Sequence, residues 1–95
     1  MSKAAEVFPV SYFIAEEMNA RGWSKDDLLN RMPGIRALND IWLELIFAAP
    51  DMELELRQNM TIGDAGPLAH AFGTSKELWE NLDATWVAYQ RTITK

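Results

Sequence analysis

Residues 21–34 read RGWSKDDLLNRMPG, and this stretch decides the fold. Gly22 after Arg21 is a natural left-handed stop for a helix arriving from the N-terminal side. Two residues later Ser24 can cap a new helix, and Asp27 three residues on completes a capping-box variant. Leu28, Leu29 and Met32 give that helix a buried face, and Pro33-Gly34 ends it sharply. Two helices joined by so short a connection form the opening of a helix-turn-helix unit.

Upstream, Pro9 and Ser11 open a helix in which Val10, Ile14 and Met18 recur at a spacing of four, with Phe13 beside them. The spacing predicts a helix over 10–21. Residues 1–8 are small and polar without a clear period and read as a flexible arm. Downstream, Asn39 or Asp40 can cap a third helix, IWLELIFAA over 41–49, which Pro50 stops. Asp40 and Glu44 leave it only a narrow polar stripe, so this helix is expected to be buried on most sides. Over 51–60, Met52, Leu54 and Leu56 alternate with Glu53, Glu55 and Arg57, which fits either an extended arm or irregular structure between helices. Thr61 with Asp64 predicts a fourth helix that Gly63, Gly66 and Pro67 delay to about Gly66. Its face is Ala65, Leu68, Ala69 and Phe72, and Gly73 ends it. Ser75 caps a fifth helix over 76–91, with Leu78, Leu82, Trp86, Tyr89 and Ile93 on one face and Trp79 beside them. The expected fold is all-α, five helices in a single domain over 9–95.

Composition agrees with one self-sufficient core. The chain has 95 residues, 48% of them hydrophobic, with four Trp and four Phe and no Cys. Disulfide and thiolate chemistry are therefore excluded. The longest apolar stretch, within 41–49, contains Glu44 and is far too short to cross a bilayer. With no signal-like N-terminal segment, the expected location is the cytoplasm, away from membranes. Nine Lys and Arg stand against fourteen Asp and Glu, a net charge of −5, whereas a whole-surface nucleic-acid binder is normally basic. A local patch remains open. Arg21, Lys25, Arg31 and Arg36 cluster together, but Asp26 and Asp27 lie among them, so a mixed solvated surface reads equally well.

Enzymatic chemistry has no foothold in the sequence. His70, the single histidine, has no second His or Cys at metal-ligand spacing. Glu16-Glu17 and Asp26-Asp27 are adjacent and diverge on a helix, whereas catalytic pairs must converge. No glycine-rich phosphate loop follows a strand. No enzyme, metal site or cofactor is expected.

Two stretches resemble a known family. FPVSYFIAEEMNARGWS over 8–24 and LAHAFGTSKELWENLDATW over 68–86 are similar to the lambda-repressor-like (Xre) helix-turn-helix family, in its HigA-type antidote branch. Leu68, Ala69, Phe72, Gly73, Thr74, Ser75, Trp79, Asn81, Leu82 and Trp86 follow the closing motif of that branch. The resemblance implies a DNA-binding transcriptional regulator of the antitoxin type, acting as a homodimer on double-stranded DNA, with the fifth helix aiding dimerisation. The middle departs from the family. Its place for a polar recognition helix holds the apolar run Leu38–Ala49 here, and the region is lengthened.

Placed on this chain, Ser24 and Lys25 at the start of the second helix are the candidates for phosphate. Arg31 and Arg36 lie around the turn, and Arg36 and Asn39 are the candidates for base edges. Trp42, Leu45, Ile46, Phe47 and Trp86 are the candidate dimer or partner interface, with core as the other reading of Trp42–Phe47. The alternative function is a helix-turn-helix-derived module that binds a toxin or another regulator and has lost DNA reading.

Overall fold

The computed structural model describes residues 7–92. Its regular elements are α1 (Val10–Arg21), α2 (Lys25–Arg31), α3 (Arg36–Ala48), α4 (Leu54–Arg57), α5 (Gly66–Phe72) and α6 (Lys76–Thr92), with a 3-10 turn at Ala49–Asp51. No strand occurs among the described residues. The sequence predicts five helices; the sixth is the single turn α4, within the segment whose alternation also allowed an extended arm.

The local signals at 21–34 act as read. Gly22 adopts φ +71°, and Trp23 N donates to Met18 O at 2.8 Å, closing α1 on its last carbonyls. Ser24 Oγ accepts from Asp27 N while Ser24 N donates to the Asp27 carboxylate, a reciprocal capping box. That backbone hydrogen bond from Ser24 holds the Asp27 carboxyl below its ordinary value. Gly73 repeats the α1 ending at α5, with φ +73° and Thr74 N donating to Ala69 O.

The start of α3, the cap of α5 and the segment after Pro50 differ from expectation, while α5 starts at Gly66 as the sequence predicts. α3 starts at Arg36, not after Asn39 or Asp40, and its N-cap Ile35 offers no side-chain hydrogen bond. Asn39 lies inside the first turns, where its Nδ2 reaches back to Pro33 O at 3.0 Å and ties the helix to the turn before it. Thr61 and Asp64 do not form a capping box. α5 begins at Gly66 with Ala65 as N-cap, and acids satisfy its first amides: Asp64 Oδ1 takes Gly66 N and Glu80 Oε2 takes Ala65 N. Finally, α4 exists because its polar residues are spent on α6. Arg57 donates to Gln90 Oε1 and Met52 O, Gln58 donates to Gln90 O, and Arg91 donates to Gln58 O. No neighbouring strand competes for them.

The core gathers one face from each long helix. Val10 and Ile14 of α1, Leu28 and Leu29 of α2, Leu43 and Ile46 of α3, Leu68, Ala69 and Phe72 of α5, and Trp79 of α6 form one buried cluster. Trp86 and Val87 extend it with Ala49, against which Val7 packs. Val7 and Phe8 therefore do not belong to the expected arm: Phe8 stacks on Tyr12 at 4.5 Å. Residues 1–6, the rest of that arm, and Ile93 lie outside the described residues. The buried face of α6 is Trp79, Asp83, Trp86, Val87 and Gln90, while Leu78 and Tyr89, expected inside, are exposed. Tertiary partners rotate the face, because Asp83 and Gln90 are buried to serve Ile62 and Arg57.

Candidate interaction surface

α2 and α3 pack against each other across the turn at 32–35. Each of the cations Arg21, Lys25, Arg31 and Arg36 has partners within the chain. Lys25 Nζ lies 2.6 Å from Asp40 Oδ1 and also pairs with Glu44, both on α3. The hydrogen bonds to Asp40 and Glu44 raise the Lys25 pKa above its ordinary value. Arg36 pairs with Asp26 at 3.0 Å and donates to Asn30 Oδ1. Arg31 donates to Asp27 O at 2.9 Å, and its guanidinium sits 4.3 Å from the Trp23 ring centroid. Arg21 pairs with Glu17, donates to Phe72 O and lies over the Phe72 ring. Trp23 stacks in turn on Phe72 at 5.4 Å. Arg21 and Arg31 thus grip an aromatic stack that joins the α1–α2 corner to α5.

Asn39, a candidate for base edges with Arg36, is buried and its amide is committed to Pro33 O. Ser24 is exposed, but its hydroxyl is committed to the cap. Lys25 is held by α3 residues that the sequence reads as the polar stripe of a separate helix, whereas Arg36 is held by Asp26, one of the acids lying among the cations in the sequence.

α3 carries the opposite signal. It is not enclosed on most sides. Leu43 and Ile46 are buried, whereas Ile35, Leu38, Ile41, Leu45 and Phe47 are exposed, Ile35 to 65% and Leu38 to 59%. At 100° per residue, Leu38, Ile41 and Leu45 fall within about 60° of one another, so they make a continuous outward ridge. Large apolar patches of this kind are uncommon on isolated soluble domains and mark contact sites.

Of the five expected interface residues, Leu45 and Phe47 are exposed, Trp42 is half-buried, and Ile46 and Trp86 belong to the interior. Ile46 sits on the side of α3 that meets the core. Trp86 lies on the buried face of α6, so neither presents a surface. Both nevertheless line an apolar recess beside the ridge, with Trp42, Leu45, Met60 and Asp83.

The loop before α5 shapes this recess. Ile62 is clamped at both backbone groups: its N donates to Asp83 Oδ2 at 3.0 Å, and its carbonyl accepts from Trp42 Nε1 at 2.8 Å. Burial pushes the Asp83 carboxyl above its ordinary value. No signal in the sequence marks Asp83, because its role depends on a loop that no local pattern brings to α6.

His70 is exposed, and among the described residues no three His, Asp or Glu side chains converge as a metal site. No helix there is long and apolar enough to cross a membrane. Comparison of the chain with protein-family models, with curated proteins and with solved structures finds no match.

Proposed function

We propose that this chain is a helix-turn-helix-derived interaction module that docks another polypeptide on the outward ridge of α3. The observation that carries the reading is the inversion of α3. The position that would read bases holds Leu38, Ile41 and Leu45 outward, while Asn39 is buried. Base edges are read through polar donors and acceptors, which aliphatic side chains lack. The same ridge suits helix-in-groove or helix-on-helix recognition, where apolar anchors at i, i+3 and i+7 supply the contact.

A DNA-reading regulator of the Xre antidote type draws its support from the resemblance of 8–24 and 68–86 and from the exposed cations around α2. The paired acids Asp40, Glu44 and Asp26 weigh against it, as does the net charge of −5. A homodimer is the second reading of the docking partner. An exposed apolar ridge also suits contact with a second copy about a two-fold axis, where residue i meets j and j meets i.

Fluorescence anisotropy separates docking from DNA reading. Labelled duplex carrying the region upstream of the coding sequence is titrated with folded protein at low and at moderate salt. The interaction-module reading expects no binding at either. Binding that weakens steeply with salt and falls on Lys25→Ala would overturn it.

A further inference from the structure

The recess beside the ridge combines apolar walls with a single carboxylate. Its walls are apolar: Trp42, Leu45, Ile46, Met60 and Trp86. Its space, about 80 Å³, exceeds the roughly 10–15 Å³ that one water needs. One wall residue is charged. Asp83 is 5% exposed: its Oδ2 accepts from the Ile62 amide, while Oδ1 takes no hydrogen bond from any described residue and keeps some contact with solvent.

Three classes of occupant can be compared on these facts. A purely aliphatic side chain fills the walls but seals a carboxylate oxygen away from water with no donor, which is penalised. A carboxylate or phosphate meets a buried like charge on a protein whose net charge is already −5. An aliphatic stem ending in an ammonium satisfies both features. The stem lies against the indoles and Ile46, and the ammonium donates to Asp83 Oδ1 as a charge-assisted hydrogen bond. A lysine side chain has this form, four methylenes carrying a compact cation.

We infer that the recess is a lysine pocket, the anchor site for the polypeptide that docks on α3. This rests on the interaction-module reading and adds the partner's chemistry: a segment with an apolar face for Leu38, Ile41 and Leu45 and a lysine placed to drop beside Leu45. Leu45 belongs to both the ridge and the recess rim, so the two contacts are continuous. The partner's lysine also complements a chain whose net charge is −5.

n-Butylammonium is a lysine side chain without its backbone, and it probes the recess with no ridge contact. The test titrates n-butylammonium chloride, n-butanol and, as an ionic-strength control, sodium chloride into nitrogen-15-labelled protein. The readouts are the four indole N–H resonances and the Ile62 amide. Saturable shifts are expected at Trp42, Trp86 and Ile62, with Trp23 and Trp79 unmoved. The ammonium is expected to bind about tenfold more tightly than the alcohol, the order of one charge-assisted hydrogen bond. Asp83→Asn keeps an acceptor for Ile62 and should reduce the ammonium to the level of the alcohol. Equal binding of amine and alcohol by the unsubstituted protein overturns the proposal and needs no variant to fold. Retention of the preference in Asp83→Asn overturns it as well. The docking reading fails separately, by salt-sensitive DNA binding, so the two failures cannot be confused.

Discussion

Leu45 and Ile46 are neighbours on one helix and nearly equal in size, yet the structure gives them opposite fates. Ile46 is 5% exposed and Leu45 is 48% exposed. Truncating Ile46 to Ala empties space between α3 and the core, and such changes cost about 2–5 kcal/mol. Truncating Leu45 to Ala removes a side chain that has surrendered only about half of its area to the fold. Since full burial of Leu is worth about 1.5–3 kcal/mol, the folded chain should lose about 1 kcal/mol. For a domain of this size a total stability of about 5–15 kcal/mol is ordinary, so Ile46→Ala can approach unfolding while Leu45→Ala cannot.

Urea denaturation followed by tryptophan fluorescence measures both variants on one scale. It should be run at two protein concentrations, since obligate association makes stability concentration-dependent. Leu45→Asp then separates folding from docking: the expected outcome is a folded chain whose self-association, if present by sedimentation, is lost. If Leu45→Ala costs as much as Ile46→Ala at every concentration, Leu45 is buried within the folding unit and the outward ridge is wrong. A sedimentation profile that stays monomeric across micromolar concentrations removes the second copy as the partner and leaves the ridge for a different polypeptide.

Two further outcomes follow from the caps and the buried carboxyl. Ser24→Ala removes the side-chain half of the α2 cap and should cost about 1 kcal/mol in urea denaturation; no change in midpoint would mean that the box contributes nothing to α2. Asp83 has its folded pKa raised by burial above the ordinary 3.8. The folded state then holds this proton more tightly than the unfolded state. Its stabilisation is present below 3.8 and is lost as pH rises through the folded value. Asp83→Asn should remove that decline, so its urea midpoint should gain on the unsubstituted protein from about pH 4 upward. Parallel pH profiles for the two proteins would show that the carboxyl is not destabilised by burial.

What was legible in the sequence was chemistry closed within a few residues. Gly22 and Gly73 stop their helices because a positive φ is needed there, and Ser24 with Asp27 closes on itself. None of these depends on where the rest of the chain goes. The errors share the opposite property. Asn39 looked like a helix cap or a base reader, and its amide is used on Pro33 three residues before the helix begins. Asp83 and Gln90 are polar residues inside the α6 face because a loop and Arg57 come to meet them. Met52–Arg57 alternates like a strand, yet it has a helix end, not a strand, beside it. At the candidate site the relations between residues were not legible: Lys25 and the acids Asp40 and Glu44 are 15 to 19 positions apart and meet only when α2 lies on α3.

Pairing of cations does not by itself forbid DNA. Exposed ion pairs are weak, and a phosphate can take a lysine from a carboxylate. What remains after such an exchange is decisive. If Lys25 swung to a phosphate, Asp40 and Glu44 would stay on α3, two uncompensated negative charges at the contact, and Asp26 would stay likewise if Arg36 left it. On the interaction-module reading, then, the acids keep this face from polyanions. Neutralising two of them as Asp40→Asn with Glu44→Gln keeps hydrogen-bonding capacity near Lys25 and changes the face by +2 charges. If the α2–α3 unit retains the geometry of a DNA-facing surface, the double variant should gain weak, sequence-independent affinity for duplex DNA. That affinity should fall steeply with salt, as each added phosphate contact releases counterions. Anisotropy of the two proteins on one duplex at low salt gives the comparison directly. Should the variant stay folded and still ignore DNA, charge is not what separates this face from nucleic acid. The exclusion would then reside in the shape and apolar character of the α3 ridge alone.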